Sequence, residues 1–297
     1  RSWWLHVLDG GEARRSSMPS ATRIAELQAE NFAEDVEVPP EAAGWSEDRL
    51  VAFLESGGVE SSAQGSLAAP LGRRARVACL HGTAGNERIF TIQASRLKLA
   101  LKAAGADSAV YEGTEVIAAE NPHGAAMRKI FGDQVLREYA PALLDEAGRR
   151  TYEPAAAEAA VADLEARIAG AGGCDAVLGF SQGANFASML AARAAAGVGP
   201  LATSLRCVVL LAPARPGWPH QDAWKRLFAA PLPVPALVVR GASDTVSAEG
   251  PVELVAHFRG ARLVEHKEGH RPLPADRAAA DGLIRDICSF VLERCPP

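Results

Sequence analysis

From residue 75 to the C-terminus, short apolar runs alternate with stretches of helical period, and few folds accommodate that alternation. A short apolar run bounded by turn residues makes a strand that hides both faces, and the stripes between runs make helices that cover it. The runs are Arg76–Leu80, Ser108–Tyr111, Asp175–Phe180, Arg206–Leu211, Ala236–Arg240 and Ala261–Glu265. Phe90, Ala94, Leu97, Leu101 and Ala104 recur at steps of four and three, as do Ala157, Val161, Leu164 and Ile168. Leu283, Ile284, Ile287, Phe290 and Val291 mark a last helix. The pattern predicts an α/β fold, with a mostly parallel central sheet between two helical layers.

Ahead of this region, residues 1–74 read as an N-terminal extension, partly helical. An amphipathic piece over Ser46–Leu54 opens on a serine cap and stops at Gly57-Gly58, and a Ser-, Ala- and Gly-rich linker covers Ser61–Gly72. A boundary near residue 74 leaves residues 75–297 as the domain with the sheet. The first residue is Arg1 and the first methionine Met18, so residues 1–17 read as an upstream extension or as part of a longer chain.

Charge narrows the partners. With 31 Lys and Arg against 36 Asp and Glu, the net charge of −5 gives no pull toward nucleic acid or an anionic membrane surface. No run approaches the roughly 18 apolar residues of a bilayer span. The apolar patch near the N-terminus, broken by His6 and Asp9, is too short for a secretory signal. Cys79, Cys174, Cys207, Cys288 and Cys295 are odd in number and contain no Cys-x-x-Cys pair, so they read as free thiols of a reducing, cytoplasmic setting.

Four strand ends carry the chemistry. The run Asp175–Phe180 leads into Gly179-Phe180-Ser181-Gln182-Gly183 and then a helix of small residues. A nucleophilic serine needs a strained strand-to-helix turn that exposes its hydroxyl, and glycines two before and two after leave room for the crowded backbone. A serine there can also merely cap the helix. Nucleophilic use needs a histidine base and a carboxylate that fixes its tautomer, in the chain order serine, acid, histidine. The strand Ala236–Arg240 ends near Ser243-Asp244-Thr245-Val246, and the next ends in His266-Lys267-Glu268-Gly269-His270. Asp244 is the expected acid, ahead of Asp222, Glu249 and Glu268. His270 is the expected base, because the Gly269-His270 turn can swing an imidazole back over the sheet while His266 closes its strand. The first strand ends in His81-Gly82-Thr83-Ala84-Gly85, a small-residue loop suited to an oxyanion site. The N–H groups of Thr83 and Gln182 are the expected donors, and His81, which precedes the serine, is expected to order its own loop.

These segments resemble the α/β-hydrolase superfamily, and more narrowly the FSH serine hydrolases related to yeast serine hydrolases and the ovarian cancer associated protein. The resemblance rests on Cys79-Leu80-His81-Gly82, Leu178–Ala184, Ser243–Val246 and Gly269-His270, and covers about residue 75 to the C-terminus. It implies carboxylesterase or thioesterase activity on a small acyl substrate, without metal or organic cofactor, and some fungal relatives release acyl chains from polyketide synthases. A noncatalytic binding module on the same fold is the competing reading, and the complete set Ser181, Asp244 and His270 argues against it. A nucleotide-binding domain is disfavoured by the lack of G-x-G-x-x-G after the first strand and of a Walker lysine. Two segments are expected to wall the acyl site: Asn121–Tyr152, and Pro213–Pro235 with Trp218, Trp224 and Phe228, although for any one aromatic ordinary packing of the loop against the sheet edge is favoured over substrate contact.

Overall fold

The computed structural model describes residues 73–118 and 120–296, with positions 38 and 40. The helix expected at Ser46–Leu54 and the linker expected at Ser61–Gly72 lie outside the described residues. Six strands form one parallel sheet: β1 (Ala75–Leu80), β2 (Ala106–Val110), β7 (Ala176–Phe180), β8 (Cys207–Leu211), β9 (Ala236–Gly241) and β10 (Arg262–His266), in the order β10-β9-β8-β7-β1-β2. Every residue of β7 and β8 is buried, whereas the edge strand β2 exposes one face and the edge strand β10 exposes residues on both. That gradient is why the central runs read as unbroken apolar segments.

Alternation along each strand divides the core into two layers. Leu80, Val177, Val208, Leu210 and Val238 face one layer, with α4 (Pro154–Gly170) and α5 (Gln182–Ala195) packed on it. Val77, Cys79, Leu178, Val209 and Val239 face the other, under α1 (Glu87–Gln93), α2 (Ser95–Ala103) and α7 (Arg277–Arg294). Each such valine or leucine contributes about 1.5–3 kcal/mol on burial, so the sheet is the rigid part on which loops are mounted.

Local sequence sets the helix ends. Asn86 caps α1 by accepting from Ile89 N–H, Pro154 stands in the first turn of α4 behind the cap Glu153, and Asp276 caps α7 through Ala279 N–H. Two expectations need correction. The stripe Phe90–Ala104 is not one helix: Ala94 closes α1 and opens α2, and Ala104 is the exposed cap of α2. Strand β2 starts at Ala106 rather than Ser108, because Gly105, at φ 99, turns the chain directly into pairing with Ala75.

Among its described residues, the stretch from Gly113 to Tyr152 holds four small strands and one helix. β3 (Glu115–Val116) pairs with β4 (Arg137–Glu138), β5 (Ala142–Leu144) pairs with β6 (Arg150–Tyr152), and α3 (Pro122–Phe131) lies between β3 and β4 in the chain. The segment from Gly250 to Val255 is a short helix, α6. No described helix is long and apolar enough to cross a membrane. All five cysteines are buried free thiols.

Candidate active site

Ser181 stands between β7 and α5 with φ 52 and ψ −117, a backbone conformation that costs an L-residue of order 1–3 kcal/mol. Its neighbours make that conformation possible. A Cβ on Gly179 would fall 2.2 Å from Gly183 O, and one on Gly183 would fall 2.4 Å from Leu80 O. Any side chain at either position would collide with backbone, which is the physical content of the glycine spacing. The turn lifts the partly exposed Ser181 side chain off the end of the sheet, while its N–H is held by Leu211 O at 2.8 Å.

The loops after β9 and β10 bring two further side chains to this point. His270 Nε2 lies 3.0 Å from Ser181 Oγ, and His270 Nδ1 lies 2.8 Å from Asp244 Oδ2. The carboxylate can only accept, so Nδ1 carries the proton and Nε2 presents its lone pair to the serine hydroxyl. The Phe180 ring, 5.1 Å from the imidazole between centroids, supports one face of His270. The His270 loop crosses the end of β9: Ala242 N–H donates to His266 O, and Ser243 Oγ donates to Lys267 O at 2.8 Å.

Asp244 is almost fully buried and richly bonded. Its Oδ1 accepts from Val246 N–H and Ser247 N–H at 2.8 and 2.9 Å, and its Oδ2 accepts from Ser247 Oγ–H at 2.6 Å as well as from His270. Burial alone would push its pKa up, but the bonds from His270 and Ser247 outweigh burial and hold the carboxyl well below the ordinary range. The other acids are engaged elsewhere. Glu268 accepts from Arg271 and from Asp276 N–H, Glu249 and Glu253 face Arg215, and Asp222 pairs with Lys225 at the surface. His266 is buried at the end of β10, and its Nδ1 accepts from Glu268 N–H.

The loop after β1 sits against the serine, since a Cβ on Gly82 would come 3.2 Å from Ser181 Cβ. A turn closed by Gly85 N–H to Gly82 O carries Thr83, and Gln182 is the first residue of α5, where an N–H has no carbonyl one turn back. His81 Nδ1 donates to Gly82 O at 2.7 Å and its Nε2 accepts from Gly113 N–H at 3.0 Å. Burial lowers its pKa to about 4. Both ring nitrogens are therefore spent on backbone, and His81 orders its loop.

Two participants were not evident in the sequence. Tyr139 stacks on His81 at 4.9 Å, accepts from His81 N–H and donates to Tyr111 O, and its own N–H donates to Gln182 Oε1. Gln182 Nε2 in turn donates to Ala140 O at 2.8 Å, so residues 139–140 of the Asn121–Tyr152 segment are clamped to the strand-to-helix turn at Ser181. Ser247 is the second, and nothing but its place three residues after Asp244 hints at it. The aromatics of the other expected wall went elsewhere: Trp218, Trp224 and Phe228 pack in the same core layer as Tyr152 and Phe186, and Trp218 Nε1 donates to Ser188 Oγ. Among the described residues no cluster of three or more His, Cys, Asp or Glu side chains could hold a metal ion.

The fold is that of the α/β-hydrolases, and the protein is a hydrolase. Residues 71–281 match the serine hydrolase (FSH1) family, and the chain belongs to it. No curated protein sequence matches the chain significantly. Among solved structures, acyl-protein thioesterase 2 of Zea mays is similar at a TM-score of 0.50 and 17% identity, over 75% of this chain and 96% of that one. SOBER1 of Arabidopsis thaliana is similar at 0.50 and 14% identity, over 74% and 99%. At these identities the likeness concerns the fold.

Proposed function

We propose that the protein hydrolyses a carboxylic ester or thioester through an acyl-enzyme formed on Ser181. The observation that carries this reading is the continuous chain Ser181 Oγ, His270 Nε2, His270 Nδ1, Asp244 Oδ2, with contacts of 3.0 and 2.8 Å, built on a strained serine at a helix N-terminus. His270 takes the hydroxyl proton as Ser181 attacks the acyl carbon, and Asp244 stabilises the imidazolium that forms. The oxyanion faces the N–H groups of Thr83 and Gln182. Collapse of the tetrahedral intermediate expels the alkoxide or thiolate, which takes the proton from His270. Water then repeats the sequence on the acyl-enzyme and releases the acid.

Esters and thioesters are favoured over peptides because their leaving groups depart more readily. The thioester arm has support in a fold neighbour of this chain, the maize acyl-protein thioesterase 2. A preference for short to medium acyl chains follows from the modest elements of the Gly113–Tyr152 stretch, which include no lid domain among the described residues. The domain from residue 75 onward contains every group named in this mechanism, and we place residues 1–74 outside it. Five buried free thiols suit a reducing compartment such as the cytoplasm.

The test is kcat/KM across p-nitrophenyl esters and matching acyl thioesters of increasing length, for the wild type and Ser181→Ala. Each buried methylene adds about 0.8 kcal/mol, so specificity is expected to climb and then level once the pocket is full. A continued rise to the longest chains would refute the chain-length preference, and undiminished turnover by Ser181→Ala would refute the mechanism.

A further inference from the structure

We propose that Ser247 is a positioning residue for the reaction, its hydroxyl holding the Asp244 carboxylate and the His270 ring in one fixed geometry. The proposal rests on the reading of Ser181, His270 and Asp244 given above. Ser247 is buried at the start of the turn leading to α6, and its Oγ lies 2.6 Å from Asp244 Oδ2, 3.2 Å from His270 Nδ1 and 3.4 Å from Ala212 O. A hydroxyl has one proton, and the shortest of these contacts, to an ionised acceptor, takes it. The oxygen lone pairs then face Nδ1–H, which has two acceptors instead of one.

This arrangement fixes both partners of the imidazole. Asp244 Oδ2 is tied by the Ser247 hydroxyl as well as by His270, and Nδ1–H faces both oxygens. Without the hydroxyl, Oδ2 would rotate more freely about its Cβ and Nδ1–H would lose its second acceptor. Nε2 would then be aimed at Ser181 less reproducibly. A shared hydroxyl thus keeps the base aimed.

The surrounding charges do not compete for this role. His266 stands at the end of β10, Glu268 and Arg271 of the same loop bind each other, and Glu249 and Glu253 on the α6 side face Arg215. From β7 the ring of Phe180 and the hydroxyl of Ser181 face His270, and from β8 the neutral carbonyl of Ala212 faces Ser247. Replacement of Ser247 leaves all of these in place, so a fall in kcat at unchanged KM reports the missing hydroxyl.

The experiment measures kcat and KM on a p-nitrophenyl ester for the wild-type chain, Ser247→Ala, Ser247→Thr and Ser181→Ala. For Ser247→Ala the expected results are a fall in kcat of about 10- to 100-fold, the range a hydrogen bond to a charged group supports, with KM unchanged. Ser247→Thr, which keeps a hydroxyl, is expected to restore kcat. Wild-type kcat for Ser247→Ala, or a fall that Ser247→Thr does not restore, would overturn the proposal and leave Ser247 a structural residue. Full turnover by Ser181→Ala would instead overturn the reading on which it rests.

Discussion

Two loops at the same edge of the sheet each end a strand with histidine chemistry, and they use it in opposite ways. In the loop after β1, His81 is buried with Nδ1 bonded to Gly82 O and Nε2 bonded to Gly113 N–H. In the loop after β10, His270 is partly exposed, with Nδ1 on a carboxylate and Nε2 on the hydroxyl of Ser181. A ring whose two nitrogens are satisfied by backbone is a brace. A ring whose free lone pair meets a hydroxyl, backed by a buried anion, is equipped to move a proton. The difference lies in what each loop leaves opposite the ring, so a histidine near a serine hydroxyl is assigned by its second nitrogen as much as its first.

The comparison breaks most visibly if His270 is dispensable. His270→Ala is expected to reduce kcat by about 10⁶-fold, the scale at which loss of the base equals loss of the whole relay. His266→Ala is expected to stay within about tenfold of wild type, since such a change removes no group of the relay. Steady-state rates of the two variants side by side decide between them, and an inactive His266→Ala beside an active His270→Ala would reverse the assignment.

A smaller effect tests the anion behind the ring. Asp244→Asn keeps the shape but offers Nδ1 a donor as readily as an acceptor, which favours the wrong tautomer and is expected to cost about 10⁴-fold in kcat. Unchanged turnover would separate Asp244 from the relay.

The smallest effect sharpens the other half of the comparison. His81 is held neutral by burial, with its pKa lowered from 6.5 to about 4. The unfolded chain therefore binds a proton in this interval that the folded protein refuses, so the stabilisation is complete above pH 6.5 and drains away as the pH falls toward 4. The loss is on the order of 3 kcal/mol. Urea midpoints of wild type and His81→Gln across this interval are expected to show the steeper decline in the wild type. Parallel declines would mean that His81 is not the group resisting protonation.

What could be read from the sequence follows the same division between sheet and loops. β7 and β8 announce themselves because both faces are covered, and Ala157, Val161, Leu164 and Ile168 keep helical period because one face of α4 is buried. Ser181 was legible because close backbone approach demands glycine at 179 and 183, and that demand is written in the sequence. β3 to β6 were not, since strands of two or three residues are too short to show alternation. Tyr139 and Ser247 were hidden for another reason. Tyr139 bonds to His81 across 58 residues, and Ser247, although it bonds to Asp244 three residues before it, meets His270 across 23, and no local pattern encodes such a meeting.

The central claim is that Ser181 is the nucleophile, and site-resolved labelling tests it most directly. Brief exposure of the wild-type protein to a fluorophosphonate, followed by digestion and mass spectrometry, is expected to place one phosphonyl group on Ser181, in step with the loss of esterase activity. A fully inactivated protein carrying the group on another residue, with Ser181 unmodified, would contradict the account.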